Sequence, residues 1–107
     1  MLRTPAAPDA VDSADRFVSA AGLRIRVRVM GVGPPLLLVG GLGANIELWE
    51  PLAPLLARRQ LICFDAPGSG LSTVPDRRYR MRDLADVVAA MLDCLDLQWV
   101  EIGRAHV

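Results

Sequence analysis

A glycine-rich loop, Gly40 to Asn45, is the first stretch of this sequence whose residue types could do chemistry. It reads GGLGAN and directly follows the apolar run LLLV. Glycine has no Cβ, so the backbone can turn sharply there and bring bare N–H groups close to a ligand. Two ligands suit such a loop: the oxyanion that forms when an ester is hydrolysed, or the pyrophosphate of a dinucleotide.

The dinucleotide alternative requires the pattern G-x-G-x-x-G at the entrance to a helix. Gly41 and Gly43 supply the first two glycines, but Ile46 stands where the third belongs. The next helix is predicted to begin near Leu48, which places its N-terminus too far along the chain to hold phosphate. The spacing therefore favours the oxyanion, and a nucleotide-binding domain stays as an alternative.

A second glycine-rich loop, FDAPGSGLS, runs from Phe64 to Ser72. Asp65 ends the preceding apolar strand, and the proline and glycines after it force a compact turn. Ser69 and Ser72 carry hydroxyls, but neither lies in G-x-S-x-G, the pattern that surrounds a serine nucleophile. We interpret both serines as turn residues that form local hydrogen bonds.

Few other groups in the sequence could bind a metal or react. Cys63 and Cys94 lie far apart among apolar residues and form no C-x-x-C pair, so we interpret them as buried reduced thiols. His106 is the only histidine, which leaves no cluster of metal ligands. The sequence predicts neither a metal nor an organic cofactor.

Length and composition indicate the class of protein. The 107 residues suffice for one small domain, and a hydrophobic content of 52% is enough for a packed core. Lysine plus arginine number 12 and aspartate plus glutamate number 12, and this zero net charge argues against nucleic acid or an anionic membrane surface as a partner. The sequence shows no secretory leader and no apolar run of about 18 residues, which predicts a cytoplasmic protein without a membrane span. Composition leaves the oligomeric state open.

The elements that must position the two loops begin with an antiparallel hairpin. A short strand, Phe17 to Ala20, is predicted to turn at Gly22 into a second strand with strict period-two alternation. One face of this second strand is apolar, and the other carries arginines that we expect on a solvated edge face. The apolar face comprises Leu23, Ile25, Val27 and Val29, and the other face Arg24, Arg26 and Arg28.

Alternating strands and helices follow the hairpin. The apolar runs Leu36 to Val39 and Leu61 to Phe64 are typical of strands buried on both faces of a parallel sheet. Between them LWEPLAPLLARR has helical spacing, with Pro51 suited to the first turn and Pro54 expected to delay or bend the helix. A longer helix, YRMRDLADVVAAMLDCLDL, leads into a strand that begins at WVEI, so the chain predicts an α/β fold with right-handed crossovers. The apolar stripe of the shorter helix is Leu48, Leu52, Leu55 and Leu56, and that of the longer helix is Met81, Leu84, Val88, Met91 and Leu95.

Four motifs in this order and spacing resemble the amino-terminal part of an α/β-hydrolase: LLLVGGLGAN, LWEPLAPLL, FDAPGSGLS and the YRMRDLADVVAAMLDCLDL helix. The resemblance extends from about Phe17 to Val100. Many members of that family have His-Gly where this chain has Gly40 and Gly41, a departure that some branches share. The combination of GGLGANIELWEPL with FDAPGSGLS is most similar to the intracellular poly(3-hydroxyalkanoate) depolymerase branch.

The resemblance implies a serine nucleophile in a G-x-S-x-G elbow directly after the WVEI strand, followed much later by an acid and a histidine. It implies further that the backbone N–H of Leu42 forms half of the oxyanion hole. The glycines that support this N–H are Gly40, Gly41 and Gly43. The implied function is hydrolysis of a small-molecule or polymeric ester. An aspartate at the elbow would instead indicate a dehalogenase or an epoxide hydrolase. If the nucleophile, the acid or the histidine were missing from the whole protein, it would be a non-catalytic binding protein.

The last seven residues, EIGRAHV, do not continue this pattern. Their best match to the elbow has alanine in place of serine, and His106 comes too early for the histidine of the family. Back-translated as GAG ATC GGA AGA GCA CAC GTC, they match the start of a widely used sequencing adapter, so we interpret residues 101–107 as a non-native tail, with a truncated gene as the alternative. The predicted organisation is a flexible leader at 1–15, a partial α/β-hydrolase domain at 16–100 that is truncated after its fifth strand, and this tail. Without a nucleophile, acid and base, the chain as given is predicted to be inactive.

Overall fold

Five strands and two helices make up the part of the chain that the computed structural model describes, residues 15–40 and 45–104. The strands form one mixed sheet in the spatial order β1-β2-β4-β3-β5. They are β1 Arg16–Ala20, β2 Leu23–Met30, β3 Pro35–Val39, β4 Gln60–Phe64 and β5 Glu101–Arg104. A 3₁₀ helix, Ile46–Leu56, follows β3, and the α-helix α1, Met81–Cys94, follows β4. Neither helix is long and apolar enough to cross a membrane.

The hairpin predicted at Gly22 is confirmed. β1 and β2 pair antiparallel with Ala20 opposite Leu23, which leaves Ala21 and Gly22 as a two-residue turn. Both turn residues have positive φ, 51° for Ala21 and 81° for Gly22. This combination is typical of a type I′ turn, whose twist matches that of the paired strands.

The predicted α/β fold class is confirmed by the order of the strands. β2 pairs antiparallel with both β1 and β4, whereas β3 lies parallel between β4 and β5. Within the described ranges the edges of the sheet are therefore β1 and β5, and β2 is an interior strand. The expectation that the arginines of β2 occupy an edge face is wrong, because β4 pairs with the second side of this strand.

β5 begins at Glu101, the first residue of the stretch predicted from the sequence to be a non-native tail. It pairs parallel with β3, with Glu101 opposite Leu36. Trp99 precedes the paired residues, so the strand predicted at WVEI forms but begins at the third residue of that motif. Backbone pairing needs only an extended segment after the α1 crossover, so the non-native origin of residues 101–107 stays a prediction. His106 lies outside the described residues.

The sheet is covered by α1 on one face and by the 3₁₀ helix on the other. Because successive residues of a strand point to opposite faces, Leu37 packs in the cluster beneath α1 and Leu38 in the cluster beneath the 3₁₀ helix. Both are buried, which confirms the prediction of a strand covered on both faces. The buried cluster beneath α1 is Val18, Ala20, Ile25, Val27, Leu37, Ile62, Phe64, Val87, Met91 and Leu95, and the cluster beneath the 3₁₀ helix is Met30, Leu38, Ile46, Trp49, Leu61 and Cys63.

The buried face of α1 differs in part from the predicted stripe. Val87 and Met91 are buried within the helix, and Leu95 is buried at its C-cap. Met81, the first residue of the helix, is 76% exposed. The prediction is wrong at Met81 because contact with the core begins only at Leu84, one turn into the helix.

Two prolines account for the form of the shorter helix. Pro51 and Pro54 have no N–H to donate, and in an α-helix each ring would clash with the carbonyl four residues earlier. The segment is a 3₁₀ helix of 11 residues instead of the predicted α-helix. Such a length is unusual for a 3₁₀ helix, and it fits a segment in which two prolines disfavour the α form.

The 3₁₀ helix also differs from the prediction in the residue at which it begins and in the residues that it buries. The helix begins at Ile46 and is capped by Asn45, whose side chain accepts a hydrogen bond from the N–H of Leu48. Three residues per turn bring Ile46 and Trp49 onto one face, where both are buried. The predicted apolar stripe is therefore wrong at Leu48, which is exposed, and at Leu55, which is 78% exposed.

Candidate functional site

The carboxyl ends of β3 and β4 meet at one edge of the sheet, because the two strands are parallel neighbours. β3 ends at Val39 and is followed by Gly40, the half-buried first residue of the glycine-rich loop. β4 ends at Phe64 and is followed by Asp65 in the second loop. Ligands of open α/β sheets bind at this edge, so the two loops form the candidate site.

The glycine-rich loop has both of its ends at this edge. Gly40 continues from β3, and Asn45 is the N-cap of the 3₁₀ helix. Residues 41–44 lie outside the described residues, so the assignment of the Leu42 N–H to an oxyanion hole, with Gly41 and Gly43 as its supports, stays a prediction. The described residues that flank them are Gly40, after β3, and Asn45, the N-cap of the 3₁₀ helix.

Asp65 joins the end of the glycine-rich loop to the second loop. Its carboxylate is fully buried and accepts the N–H of Ile46 at Oδ1 and the N–H of Leu71 at Oδ2, each at 2.8 Å. The first N–H groups of a helix have no partner within the helix, and here Asp65 accepts from Ile46 while Asn45 accepts from Leu48. These donors are occupied by protein acceptors, which disfavours the dinucleotide alternative although the helix begins earlier than predicted.

Arg26 pairs with Asp65 from the neighbouring strand β2. Arg26 is only 6% exposed, and its guanidinium lies 3.2 Å from Asp65 Oδ2, 2.6 Å from Asp15 Oδ2 and 2.6 Å from Glu47 Oε2. The hydrogen bond to Glu47 is the largest of several that raise the pKa of Arg26, against the opposing effect of burial. The guanidinium therefore stays charged, and the expectation of a solvated side chain is wrong for Arg26.

Arg28 repeats this arrangement two residues further along β2. Its Nε donates to Asp15 Oδ1 at 2.6 Å, and its Nη1 donates to Glu50 Oε2 at 2.9 Å. The hydrogen bond from Arg28 is the main cause that lowers the pKa of Asp15, and the hydrogen bond from Arg26 is the main cause that lowers the pKa of Glu47. The two arginines thus hold these carboxylates in their ionised form.

The position of β2 inside the sheet explains why Arg26 and Arg28 are not solvated as predicted. Arg24, near the hairpin, is exposed and stacks over the Phe17 ring at 3.9 Å, as expected for an outward arginine. Further along β2, carboxylates of Asp15 and of the 3₁₀ helix take the place of water as partners of Arg26 and Arg28. We call the resulting network the arginine cluster; its members are Arg26, Arg28, Asp15, Glu47, Glu50 and Asp65.

Hydroxyl and backbone hydrogen bonds fix the second loop. Ser72 is buried, and its Oγ donates to the carbonyl of Asp65 at 2.6 Å and accepts from the N–H of Arg26 at 3.0 Å. Ser69 closes a turn with its backbone N–H, which donates to the carbonyl of Ala66 at 2.8 Å. These contacts confirm that Ser72 is a structural residue of the loop and that Ser69 lies in a turn, while the interpretation of the Ser69 hydroxyl stays a prediction.

The two cysteines differ in exposure. Cys63 is buried beneath the 3₁₀ helix, and this burial raises the pKa of its thiol to about 12. Cys94, at the end of α1, is exposed and donates a hydrogen bond from Sγ to the carbonyl of Ser19 at 3.3 Å. The prediction of buried thiols is confirmed for Cys63 and wrong for Cys94. Among residues 15–40 and 45–104, no three Cys, Asp, Glu or His side chains are grouped to hold a metal ion.

One groove of the described ranges lies away from the candidate site. It has a volume of about 490 Å³ and is lined by Met30, Leu61 and Pro54, among others. Leu61 lies near the start of β4, so this groove is at the end of the sheet opposite the two loops.

The sequence pattern did not predict that the members of the arginine cluster support the site. One signal was present: Asp65 directly follows the apolar run LICF, and a carboxylate buried at such a position requires partners. Those partners, Arg26, Ile46 and Leu71, come from three separate segments. They can be identified only when the order of the strands is known.

The comparison with protein families agrees with this geometry. The profile of the family described as the alpha/beta hydrolase fold matches residues 34–100. This range includes β3, the 3₁₀ helix, β4 and α1, and therefore both loops of the candidate site.

Two curated relatives are similar to this chain over part of their length. A poly(3-hydroxyalkanoate) depolymerase of Ectopseudomonas oleovorans is 44% identical over 69 residues, which cover 64% of this chain and 24% of the relative. A 2-hydroxy-6-oxo-6-(2'-aminophenyl)hexa-2,4-dienoic acid hydrolase of Metapseudomonas resinovorans is 38% identical over 85 residues, which cover 72% of this chain and 29% of the relative. The chain thus spans 24% to 29% of the length of these relatives.

A solved structure shows the same fold. The haloalkane dehalogenase DatA from Agrobacterium tumefaciens C58 matches with a TM-score of 0.76 and 29% identity, over 85% of this chain and 32% of the dehalogenase. The relatives therefore share a fold and the general activity of hydrolases, while the bonds that their names indicate differ. On the family profile, the strand order and the position of the two loops, this chain belongs to the α/β-hydrolase fold family.

Proposed function

We propose that the whole protein is a serine hydrolase that acts on ester bonds, with poly(3-hydroxyalkanoates) as the candidate substrate class. One observation carries the proposal: the glycine-rich loop starts at the carboxyl end of β3, and the residue that follows it, Ile46, is anchored to Asp65. The similarity to a depolymerase, 44% over 69 residues, supports an ester as the substrate.

In this proposal the glycine-rich loop stabilises the charge that develops during the reaction. A serine hydroxyl attacks the carbonyl carbon of the ester, and the carbonyl oxygen becomes an oxyanion that accepts a hydrogen bond from the Leu42 N–H. A histidine takes the proton of the serine and gives it to the departing alcohol, which leaves an acyl-enzyme. Water then attacks the acyl group, releases the acid and restores the serine.

The serine, the acid and the catalytic histidine are proposed to belong to a part of the whole protein that this sequence does not include. The pattern G-x-S-x-G does not occur in the 107 residues, and the chain corresponds to 24% of the depolymerase. We therefore propose that the 107-residue chain by itself does not catalyse ester hydrolysis.

The natural gene beyond the codon for Val100 provides the test. We expect G-x-S-x-G within a few codons, and we expect the complete protein to hydrolyse para-nitrophenyl butyrate and oligomers of hydroxyalkanoic acids. If the complete protein hydrolysed para-nitrophenyl butyrate but not the oligomers, the proposal of an ester hydrolase would stand, and poly(3-hydroxyalkanoates) would be removed as its substrate class. A complete protein with an elbow serine that cleaves neither compound would overturn the proposal.

A haloalkane dehalogenase is the second candidate, favoured by the 29% identity to DatA. In that reaction an aspartate at the elbow displaces the halide from carbon, and water hydrolyses the resulting ester of the enzyme. An aspartate codon at the elbow, together with release of bromide from a bromoalkane, would select this candidate over the serine hydrolase. An elbow aspartate with opening of an epoxide and no halide release would select an epoxide hydrolase.

A further inference from the structure

One buried carboxylate connects the two loops of the candidate site. Asp65 accepts the N–H of Ile46, directly after the glycine-rich loop, and the N–H of Leu71 in the second loop, both at 2.8 Å. The two donors are 25 residues apart in the sequence, so no local turn brings them together. The Asp65 side chain therefore bridges two segments that are far apart in the sequence.

Asp65 is joined to Arg26 through three kinds of contact. The guanidinium lies 3.2 Å from Asp65 Oδ2, and the N–H of Asp65 donates to the carbonyl of Arg26 at 3.1 Å. Ser72 Oγ bridges the two backbones, since it accepts from the Arg26 N–H and donates to the Asp65 carbonyl. Arg26 and Asp65 are therefore joined through both their side chains and their backbones.

The hydrogen bonding around this unit is complete. In residues 15–40 and 45–104, no buried polar side-chain atom lacks a hydrogen-bond partner. A buried polar network that is fully satisfied makes the surrounding structure rigid, whereas a network with one missing partner destabilises it. The contacts of Asp65 with Ile46 and Leu71 thus belong to a network in which the buried polar side-chain atoms of the described residues are satisfied.

We infer that Asp65 is a positioning residue for the segment where the glycine-rich loop meets the 3₁₀ helix, with Arg26 as the residue that holds Asp65 in place. The inference rests on the proposed function, in which the loop before Ile46 stabilises the oxyanion. Asp65 is fully buried, and among the described residues it contacts the segment after the glycine-rich loop through the N–H of Ile46. Its loss should therefore weaken binding of the transition state more than binding of the substrate.

The test compares Asp65→Asn with Asp83→Asn in the complete protein. The first change keeps the shape of the side chain but replaces one acceptor oxygen with an amide nitrogen and removes the ion pair with Arg26. We expect kcat for para-nitrophenyl butyrate to fall roughly tenfold to a hundredfold, with KM within about twofold.

Asp83→Asn is the matched control. Asp83 accepts the N–H of Arg80 at 2.8 Å and pairs with Arg77 at 3.0 Å, so it combines a backbone donor with an arginine as Asp65 does. It lies in the first turn of α1, outside both loops. We expect kcat of this variant to equal that of the wild type, and an equal fall in both variants would overturn the inference.

Amide hydrogen exchange of the peptide at residues 45–48 gives a second readout that does not depend on activity. This peptide should exchange faster in Asp65→Asn than in Asp83→Asn or the wild type. If Asp65→Asn does not fold, Arg26→Lys takes its place, because lysine keeps the charge but lacks the forked donors that reach Asp65, Asp15 and Glu47 together.

The two readouts separate failure of the inference from failure of the proposed function. A wild type that cleaves esters, with unchanged kcat in Asp65→Asn or Arg26→Lys, would overturn the inference and leave the proposed function intact. A wild type that cleaves no ester would overturn the proposed function. In that case faster amide hydrogen exchange at residues 45–48 of Asp65→Asn would still support the positioning role of Asp65. Unchanged exchange in this variant would show that Asp65 has no such role.

Discussion

A Cβ on Gly70 would lie 2.2 Å from Oδ2 of Asp65. The missing side chain of one residue of the second loop thus leaves room for the buried carboxylate at the start of that loop. The same carboxylate accepts the N–H of Ile46, which follows the glycine-rich loop. A substitution at Gly70 should therefore affect both loops, although Gly70 belongs to only one of them.

Gly70→Ala should lower the free energy of unfolding of the complete protein by about 2 kcal/mol or more. The φ of Gly70 is +51°, which disfavours a side chain, and the new methyl group would displace Asp65. Gly22→Ala is the control, because Gly22 has φ +81° but no atom within 4 Å of a Cβ. We expect the free energy of unfolding of the control, measured with urea, to fall by about 1 kcal/mol. Equal losses in the two variants would show that the contact with Asp65 has no effect.

Acid should destabilise the fold through Asp15 and Glu47. The hydrogen bond from Arg28 lowers the pKa of Asp15, and the hydrogen bond from Arg26 lowers the pKa of Glu47. In the unfolded chain these groups return to ordinary pKa values of about 3.9 and 4.3. The unfolded state therefore binds more protons below about pH 5, and the free energy of unfolding falls as the pH decreases through the lowered values.

Urea midpoints between about pH 7 and pH 3 measure this effect. Glu47→Gln should reduce the decline on acidification, because the glutamine has no carboxyl group to protonate. A midpoint that stays constant or rises on acidification would contradict the role of the arginine cluster.

The elements that depend on local pattern could be predicted from the sequence. Gly22 and the alternation after it predicted the hairpin, since a tight turn and a period of two are properties of neighbouring residues. The apolar run before Gly40 predicted a strand buried on both faces, and Leu37 and Leu38 are buried on opposite faces of the sheet. The edge at which the two loops meet followed from the parallel order of these strands.

The remaining features depend on partners that are distant in the sequence. Alternation in LRIRVRVM shows which residues share a face, but it does not show what covers that face. Arg26 and Arg28 therefore looked solvated, whereas Asp15 and Glu47 cover them. The support that Asp65 gives to the loops was missed for the same reason, because its donors come from both loops and its cation from β2.

The 107-residue chain on its own should fold weakly. β5 forms an edge of the sheet in the described ranges, and Trp99 and Ile102 beside or within it are 64% and 63% exposed. An open edge strand with exposed apolar residues favours association of chains. We expect a broad thermal transition and binding of a hydrophobic dye, with the complete protein as the control. A sharp transition from a monomer without dye binding would refute this prediction.

Leu42→Pro in the complete protein should lower kcat by about a hundredfold to a thousandfold and largely spare KM. Proline has no N–H, so this change removes the donor that the resemblance assigns to the oxyanion hole. Leu42→Ala keeps the N–H and should retain most of the activity. Circular dichroism must show an intact fold in both variants. Unchanged turnover in Leu42→Pro would remove Leu42 from the proposed mechanism.

The role proposed for the glycine-rich loop is that of an oxyanion-binding loop in a serine hydrolase that cleaves esters. The rate of para-nitrophenyl butyrate hydrolysis by the complete protein, measured before and after the elbow serine is replaced by alanine, tests this role. We expect the wild type to turn over the ester and the alanine variant to lose at least about a thousandfold in kcat, because the nucleophile is gone. An alanine variant that folds and hydrolyses the ester at the wild-type rate would show that no serine hydrolase mechanism operates.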